Sequence, residues 1–199
     1  REWFKQAKFG MMIHFGLYSI PAGEWKGQRT SEIGEWLQAY YRIPNAEYGQ
    51  LAKVFNPIFF NAEEWVKTAK EAGMEYMVVT SKHHDGFALW PSKSSNYSVA
   101  QTPWKEGCGD VVREFADACK KHKFAFGTYL SPWDRNCAEY GRPGYLEVYY
   151  KQIEELLTNY GDIFEIWFDG AMGGDGYYGG ARQNRDIGNA DKYYNYARV

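Results

Sequence analysis

Residues 163–170 read Ile-Phe-Glu-Ile-Trp-Phe-Asp-Gly, a short and nearly all-apolar run that ends in a carboxylate and a glycine. A strand of a parallel sheet is covered on both faces and reads as a continuous apolar run, and Ile163, Phe164, Ile166, Trp167 and Phe168 fit that pattern. Asp169 then falls at the C-terminal end of the predicted strand, where parallel α/β folds bind ligands. Side chains alternate faces along a strand, so Trp167 and Asp169 are expected to point the same way and set an indole beside a carboxylate. The glycine-rich stretch that follows, Gly170 to Gly180, is too loose to bury that charge. Taken alone, an Asp after a strand more often caps a helix or solvates a turn. The rest of the chain has to decide.

Upstream of this stretch the pattern repeats. A helical segment is predicted from about Tyr145 to Tyr160, stopped by Gly161, and before it an apolar strand, Phe124 to Leu130, leads into Ser131-Pro132-Trp133-Asp134-Arg135-Asn136. Tyr129 stands near that strand's C-terminal end. Gly109-Asp110 opens an amphipathic helix to His122, with Val111, Val112, Phe115, Ala118 and Cys119 spaced for one buried face and His122 expected to be exposed. Another strand, Glu75 to Ser81, runs into Lys82-His83-His84-Asp85-Gly86-Phe87. Adjacent side chains diverge, so this His-His-Asp run suits hydrogen bonding to a hydroxylated ligand better than a single metal. Helices are predicted over Ala46 to Val54 and over Ala62 to Ala72, the second capped by Asn61 and closed by Gly73.

The first strand, within Lys8 to Gly16, carries His14 near its end; a lone His on an apolar run is more often a core residue than a catalytic one. Leu17 to Thr30 reads as a long loop, and Glu35-Trp36 begins the next segment, where Glu35 suits an exposed first turn. At the far end, Ala190 to Val199 looks like the start of one more helix.

Composition excludes several classes. With 199 residues, 45% hydrophobic and 24% charged, the chain is ordinary globular material. Its 23 Lys+Arg nearly cancel 25 Asp+Glu, and no basic run appears, which argues against nucleic acid or an anionic membrane as partner. No apolar run reaches membrane-spanning length, and the chain opens at Arg1-Glu2-Trp3-Phe4 without a leader. Cys108, Cys119 and Cys137 have neither disulfide-framework nor zinc-ligand spacing. Eight Trp and 17 Tyr exceed what a core needs, and such rings often line sites for ligands that are part apolar and part hydroxylated.

Strands alternating with helices imply right-handed crossovers and a parallel sheet. Polar candidates fall at the end of every strand: His14, His83 and His84, Tyr129, Asp169. That is the layout of a (β/α)8 TIM-like barrel, and no GxGxxG supports a doubly wound sheet instead. Four strands make half a barrel, so residues 1–199 are expected to be part of a larger catalytic domain or to need another chain to complete it.

Five ordered motifs now carry a resemblance: Lys8-Phe9-Gly10…His14-Phe15-Gly16…Tyr18-Ser19; Glu35-Trp36; Thr80 to Phe87 with Trp90; Gly127-Thr128-Tyr129-Leu130-Ser131; and Trp167-Phe168-Asp169-Gly170. Together they resemble the N-terminal half of the catalytic domain of α-L-fucosidases of glycoside hydrolase family 29. The versions His83 to Phe87 with Leu89-Trp90-Pro91-Ser92, Leu130 to Arg135, and Trp167 to Ala171 resemble the subfamily that prefers α-1,3/1,4-linked fucosides. The resemblance implies a retaining exo-acting enzyme with Asp169 as nucleophile. It also implies fucose contacts at His14, Glu35, Trp36, His83, His84, Tyr129 and Trp167, with no cofactor and no metal. Met12 departs from the aromatic ring often found there in the family. The family's acid/base lies downstream of the nucleophile, past Val199; Glu35, Asp85, Asp134 and Asp175 match no such role. The substrate implied is a fucosylated oligosaccharide or glycoconjugate, and the compartment implied is secreted, periplasmic or lysosomal. Two other readings stand beside it: a fucose-binding module lacking the acid/base, and a metal-dependent hydrolase.

Overall fold

In this computed structural model, residues 2–170, 177–178, 183–185 and 187–198 are described. Strands β1 (Gly10–Ile13), β2 (Tyr76–Lys82), β3 (Ala125–Leu130) and β4 (Ile163–Trp167) form one sheet in sequence order. All three pairings are parallel. Between consecutive strands run the helices α1 (Ala62–Glu71), α2 (Val111–His122) and α3 (Pro143–Asn159). This is the predicted order of strand and helix. Among the described residues the sheet is open, with β1 and β4 at its edges; four parallel strands are what was expected of these residues, and they do not by themselves show closure into a barrel.

Helix ends follow local chemistry. The Asn61 side chain accepts from the Glu64 N–H at 3.1 Å and starts α1, and Asp110 accepts from the Arg113 N–H at 2.8 Å and starts α2. Pro143 begins α3, where a missing N–H costs nothing. Gly73 at φ +85° turns the chain out of α1. The helices bury Val66 and Ala69, then Val111, Val112, Phe115, Ala118 and Cys119, then Tyr149, Ile153 and Leu156 against the sheet. Each larger apolar side chain so buried contributes about 1.5–3 kcal/mol.

The two ends of the sheet differ. At the N-terminal end the helix Glu2–Ala7 sets Trp3 against Phe164 and Phe4 against Tyr76, with ring centroids 5.5 and 5.4 Å apart. Gly127 makes room on the same face, since a Cβ there would come within 2.9 Å of the Phe164 ring. At the C-terminal end the side chains become polar, and the site lies there.

Several expectations need correction. Strand β4 is not covered on both faces: Ile163 to Ile166 are half-buried and Trp167 is 46% exposed, because β4 has a neighbour on one side only. Leu17 to Thr30 holds a short 3-10 turn, Leu17–Ser19, and a small hairpin pairing Glu24–Trp25 with Gln28–Arg29. The helix predicted over Ala46 to Val54 is one α turn, Asn45–Tyr48, continued as 3-10 helix, Gly49–Val54. The final segment is a helix at Ala190–Tyr194 followed by a 3-10 turn, Tyr196–Arg198. His122 is half-buried rather than exposed, its Nε2 lying 3.1 Å from Glu63 Oε1. Most of Gly170 to Gly180, Asp175 included, lies outside the described residues.

Candidate active site

Each strand delivers its side chains to the same end of the sheet. In register, Tyr129 of β3 pairs with Thr80 of β2 and Trp167 of β4, so these three share one face. Tyr129 is buried, and its hydroxyl donates to Asp169 Oδ2 at 2.9 Å. Asp169 sits in the turn just past β4 with its side chain 51% exposed. His84 Nε2 lies 3.5 Å from the same carboxylate oxygen. Hydrogen bonding from His84, then from Tyr129, holds the Asp169 carboxyl down at about 2 against the opposing effect of partial burial. It is therefore ionised at any ordinary pH. Burial, and then the charge of Asp169, push the Tyr129 phenol up, so it stays a donor.

The histidines pack as a cluster. His83 stacks on Tyr129 with centroids 5.4 Å apart and planes 5° from parallel, and its ring is 5.4 Å from that of His14. It is almost wholly buried, and its Nδ1 has no hydrogen-bond partner in the protein. Burial, then His84 and His14 nearby, holds the His83 imidazolium well below the ordinary range, so the ring is neutral. A buried polar atom without a partner is uncommon in a folded chain. Glu35, half-buried in the turn Gly34–Trp36, brings Oε1 to 4.0 Å from His14 Nε2. Trp36 meets the His84 ring edge-on at 5.1 Å and the Trp133 ring at 5.9 Å.

The expectation that His83 and His84 diverge is wrong. The chain leaves β2 at Lys82, so strand alternation no longer applies, and the two rings end 4.3 Å apart. Ligand atoms of His14, Glu35 and His83 lie within 4.8 Å of one another, as do those of His83, His84 and Asp169. A zinc ion, with bonds of about 2.0–2.2 Å, would require the groups of either set to draw in. As they stand, these atoms gather donors and acceptors close together beside the rings of Tyr129 and Trp36.

All eight residues predicted for the site, His14, Glu35, Trp36, His83, His84, Tyr129, Trp167 and Asp169, thus lie at the C-terminal end of the sheet. Seven are linked by the contacts above; Trp167 joins through its register with Tyr129 and is partly exposed. Asp85 and Asp134 are not available as free carboxylates. Asp85 is buried and accepts from the Tyr48 hydroxyl at 3.2 Å and the Phe87 N–H at 3.1 Å. Asp134 is buried against Lys82, with Nζ to Oδ2 at 3.1 Å.

Three neighbours were not predicted as site residues. Ser131 Oγ lies 2.6 Å from His84 Nδ1. Trp133 packs on His84 with centroids 4.4 Å apart, and its Nε1–H donates to the Gly170 carbonyl at 3.2 Å. Tyr18 meets the His83 ring edge-on at 5.6 Å and is tied to Thr80 through its hydroxyl. The signal for the first two was their position immediately after a strand, which also marked the histidines.

A family model described as Alpha-L-fucosidase matches residues 1–198. Alpha-L-fucosidase 1 of Arabidopsis thaliana is 41% identical over 173 residues, covering 86% of this chain and 30% of its own length. Unliganded alpha-L-fucosidase AlfC from Lactobacillus casei is 42% identical with a TM-score of 0.77, covering 84% of this chain and 59% of that one. AlfC has also been solved as a variant in complex with Fuca(1,6)GlcNAc. An alpha-L-fucosidase GH29 from Bacteroides thetaiotaomicron is 36% identical with a TM-score of 0.81, covering 86% of this chain and 40% of that one. The chain therefore spans about a third of the plant relative and about half of these solved chains.

Proposed function

The chain belongs to the α-L-fucosidase family, and from that premise we propose that the intact protein removes terminal α-linked L-fucose from glycans with retention of configuration. The observation that carries this reading is Asp169: an ionised, half-exposed carboxylate held by Tyr129 and His84 at the C-terminal end of parallel strands. A retaining nucleophile has to be ionised and reachable. Asp169 attacks the anomeric carbon, the aglycone leaves, and a fucosyl ester forms on the carboxylate oxygen. A second carboxyl group, about 5 Å away in such enzymes, gives its proton to the departing oxygen and then takes one from the water that cleaves the ester. We place that group outside residues 1–199, in the part of the barrel that completes the sheet.

The sugar's hydroxyls are held by His14, Glu35 and His83, and the aromatic surfaces of Trp36 and Trp167 take its apolar C5-methyl side; His84, expected among the sugar contacts, we assign to the nucleophile instead, since its Nδ1 meets Ser131 and its Nε2 faces Asp169. No metal or other cofactor enters this reading, so chelators should leave activity unchanged. For linkage we retain α-1,3/1,4, on the motifs around His83 to Ser92 and Leu130 to Arg135. The relative bound to Fuca(1,6)GlcNAc makes α-1,6 the comparison to run.

The test is Asp169→Asn in the intact protein, assayed on an aryl α-L-fucoside with NMR identification of the first-formed anomer. We expect the wild type to release α-L-fucose first and the variant to lose several orders of magnitude in kcat while still binding fucose. Near wild-type turnover by the variant would overturn the assignment of Asp169. A β anomer formed first would overturn retention, and an intact wild-type protein that binds fucose without turning over would favour the binding-module reading.

A further inference from the structure

We propose that Ser131 is a positioning residue that fixes His84 as its Nε2–H tautomer, so that the ring donates to Asp169 as a neutral group. The inference rests on the assignment of Asp169 above and goes further, to what keeps that carboxylate ready.

The argument starts from the Ser131 hydroxyl, which is fully buried. Its oxygen lies 3.0 Å from the Trp133 N–H and 2.6 Å from His84 Nδ1. A backbone N–H can only donate, so Ser131 Oγ accepts from Trp133. The hydroxyl has one hydrogen of its own, and His84 Nδ1 stands at hydrogen-bonding distance to take it. Were Nδ1 protonated, Ser131 would accept twice and its hydrogen would need another acceptor at a fully buried position, a costly arrangement. The economical network puts the Ser131 hydrogen toward Nδ1 and leaves the ring's own proton on Nε2, the atom 3.5 Å from Asp169 Oδ2.

The surroundings hold this arrangement still. The Ser131 N–H donates to the Lys82 carbonyl and the Arg135 N–H to the His84 carbonyl, both at 2.9 Å. The Trp133 ring covers His84 and reaches over to the Gly170 carbonyl, so one loop is moulded on the histidine and tied to the turn that carries Asp169. Among the described residues, charged or titratable groups near the pair include His83 beside the ring, Tyr129 on the carboxylate, His14 and Glu35 beyond His83, and the Arg135 guanidinium over Trp36.

A neutral donor has a chemical advantage over a cation here. Positive charge builds on the anomeric carbon as the glycosidic bond breaks, and a full imidazolium beside the nucleophile would oppose it. A neutral N–H keeps Asp169 ionised without adding that charge. It also leaves the carboxylate less tightly held than an ion pair would.

The test uses the intact protein and two readouts. Nitrogen-15 NMR of the imidazoles, with His84 assigned through His84→Gln, should show His84 neutral with its proton on Nε2 near neutral pH. Ser131→Ala should mix the tautomers, lower kcat roughly tenfold with a smaller change in KM, and move the acid limb of kcat/KM upward. Ser131→Thr, which keeps the hydroxyl, should restore both. A wild-type His84 with its proton on Nδ1, or on both nitrogens, would overturn the proposal whether or not the variants fold. So would Ser131→Ala with an unchanged tautomer and an unchanged pH profile. Failure of the Asp169→Asn test would instead sink the nucleophile and leave the tautomer result standing, so the two failures are distinguishable.

Discussion

At the scale of single residues, two aspartates show how environment divides one functional group into two behaviours. Asp169 is half-exposed and meets donors, which keep it ionised down to about 2. Asp85 is fully buried, and burial pushes its carboxyl up to about 6 although the Phe87 N–H and the Tyr48 hydroxyl pull the other way. The signs for stability are opposite. Asp169 binds its proton more weakly folded than unfolded, so its contribution is present above the ordinary 3.8 and lost as pH falls toward about 2. Asp85 binds its proton more tightly folded, so its contribution is full below 3.8 and lost as pH rises through about 6. That interval corresponds to about 3 kcal/mol. We therefore expect the intact protein to lose stability between pH 4 and pH 6 and Asp85→Asn to flatten that slope, because the amide cannot ionise while its oxygen still accepts from Phe87. Urea midpoints measured at about pH 4 and about pH 7 check this. An equal slope in both proteins would place the titration elsewhere.

At the scale of elements, the end of β2 and the loop after β3 are joined by a buried ion pair that no pattern in the sequence announced. Lys82 Nζ is wholly buried, 3.1 Å from Asp134 Oδ2 and 3.2 Å from the Tyr145 hydroxyl, which itself donates to the Pro132 carbonyl. Asp134 Oδ1 also accepts from the Asn136 and Cys137 N–H groups, at 3.0 and 2.8 Å. Gly86 is required beside it, since its φ is +84° and a Cβ would stand 2.2 Å from Asp134 Oδ1. Removing one partner of such a pair strands a buried charge. Lys82→Met should therefore cost about 3–5 kcal/mol, and Lys82→Met/Asp134→Asn should recover part of it, because the amide oxygen can keep the loop bonds without the charge. Denaturant unfolding of both variants measures this; a double variant as unstable as the single one would mean that the pair's charge does not matter. Strand order, helix caps at Asn61 and Asp110, and the polar strand ends were legible because each depends on a local signal of period, cap or position. The Lys82 to Asp134 pair, the Ser131 bond to His84 and the approach of His83 to His84 were not, because they depend on the path the chain takes at and beyond the strand ends. Strand alternation misled at His84 because it was carried past Lys82, where the strand stops.

At the scale of the molecule, what is left uncovered decides how the chain behaves by itself. One face of the sheet lies under α1, α2 and α3 and holds Met77, Val79, Phe126 and Leu130 in the core. The other, aligned by register through Met12, Val78, Gly127 and Tyr129 to Trp167, leaves Met12 36% and Trp167 46% exposed. Strands β1 and β4 add two open edges, each a row of unpaired backbone groups among the described residues. Apolar surface beside free strand edges is what a barrel's remaining strands would cover, and the relatives are longer than this chain. We expect residues 1–199 expressed alone to self-associate and to bind a hydrophobic dye such as ANS. Such a chain should release no fucose from a natural oligosaccharide, because Asp169 would have no acid to protonate the leaving sugar. An activated aryl fucoside, whose leaving group needs no proton, could at most load Asp169 once and stop at the ester. Sedimentation, dye binding and single-turnover mass spectrometry on the isolated chain give the answer. A monomeric, cooperatively folded chain with steady multiple turnover would mean that a carboxylate within these residues acts as acid/base, and Glu35, across the histidine cluster from Asp169, would be the first to substitute.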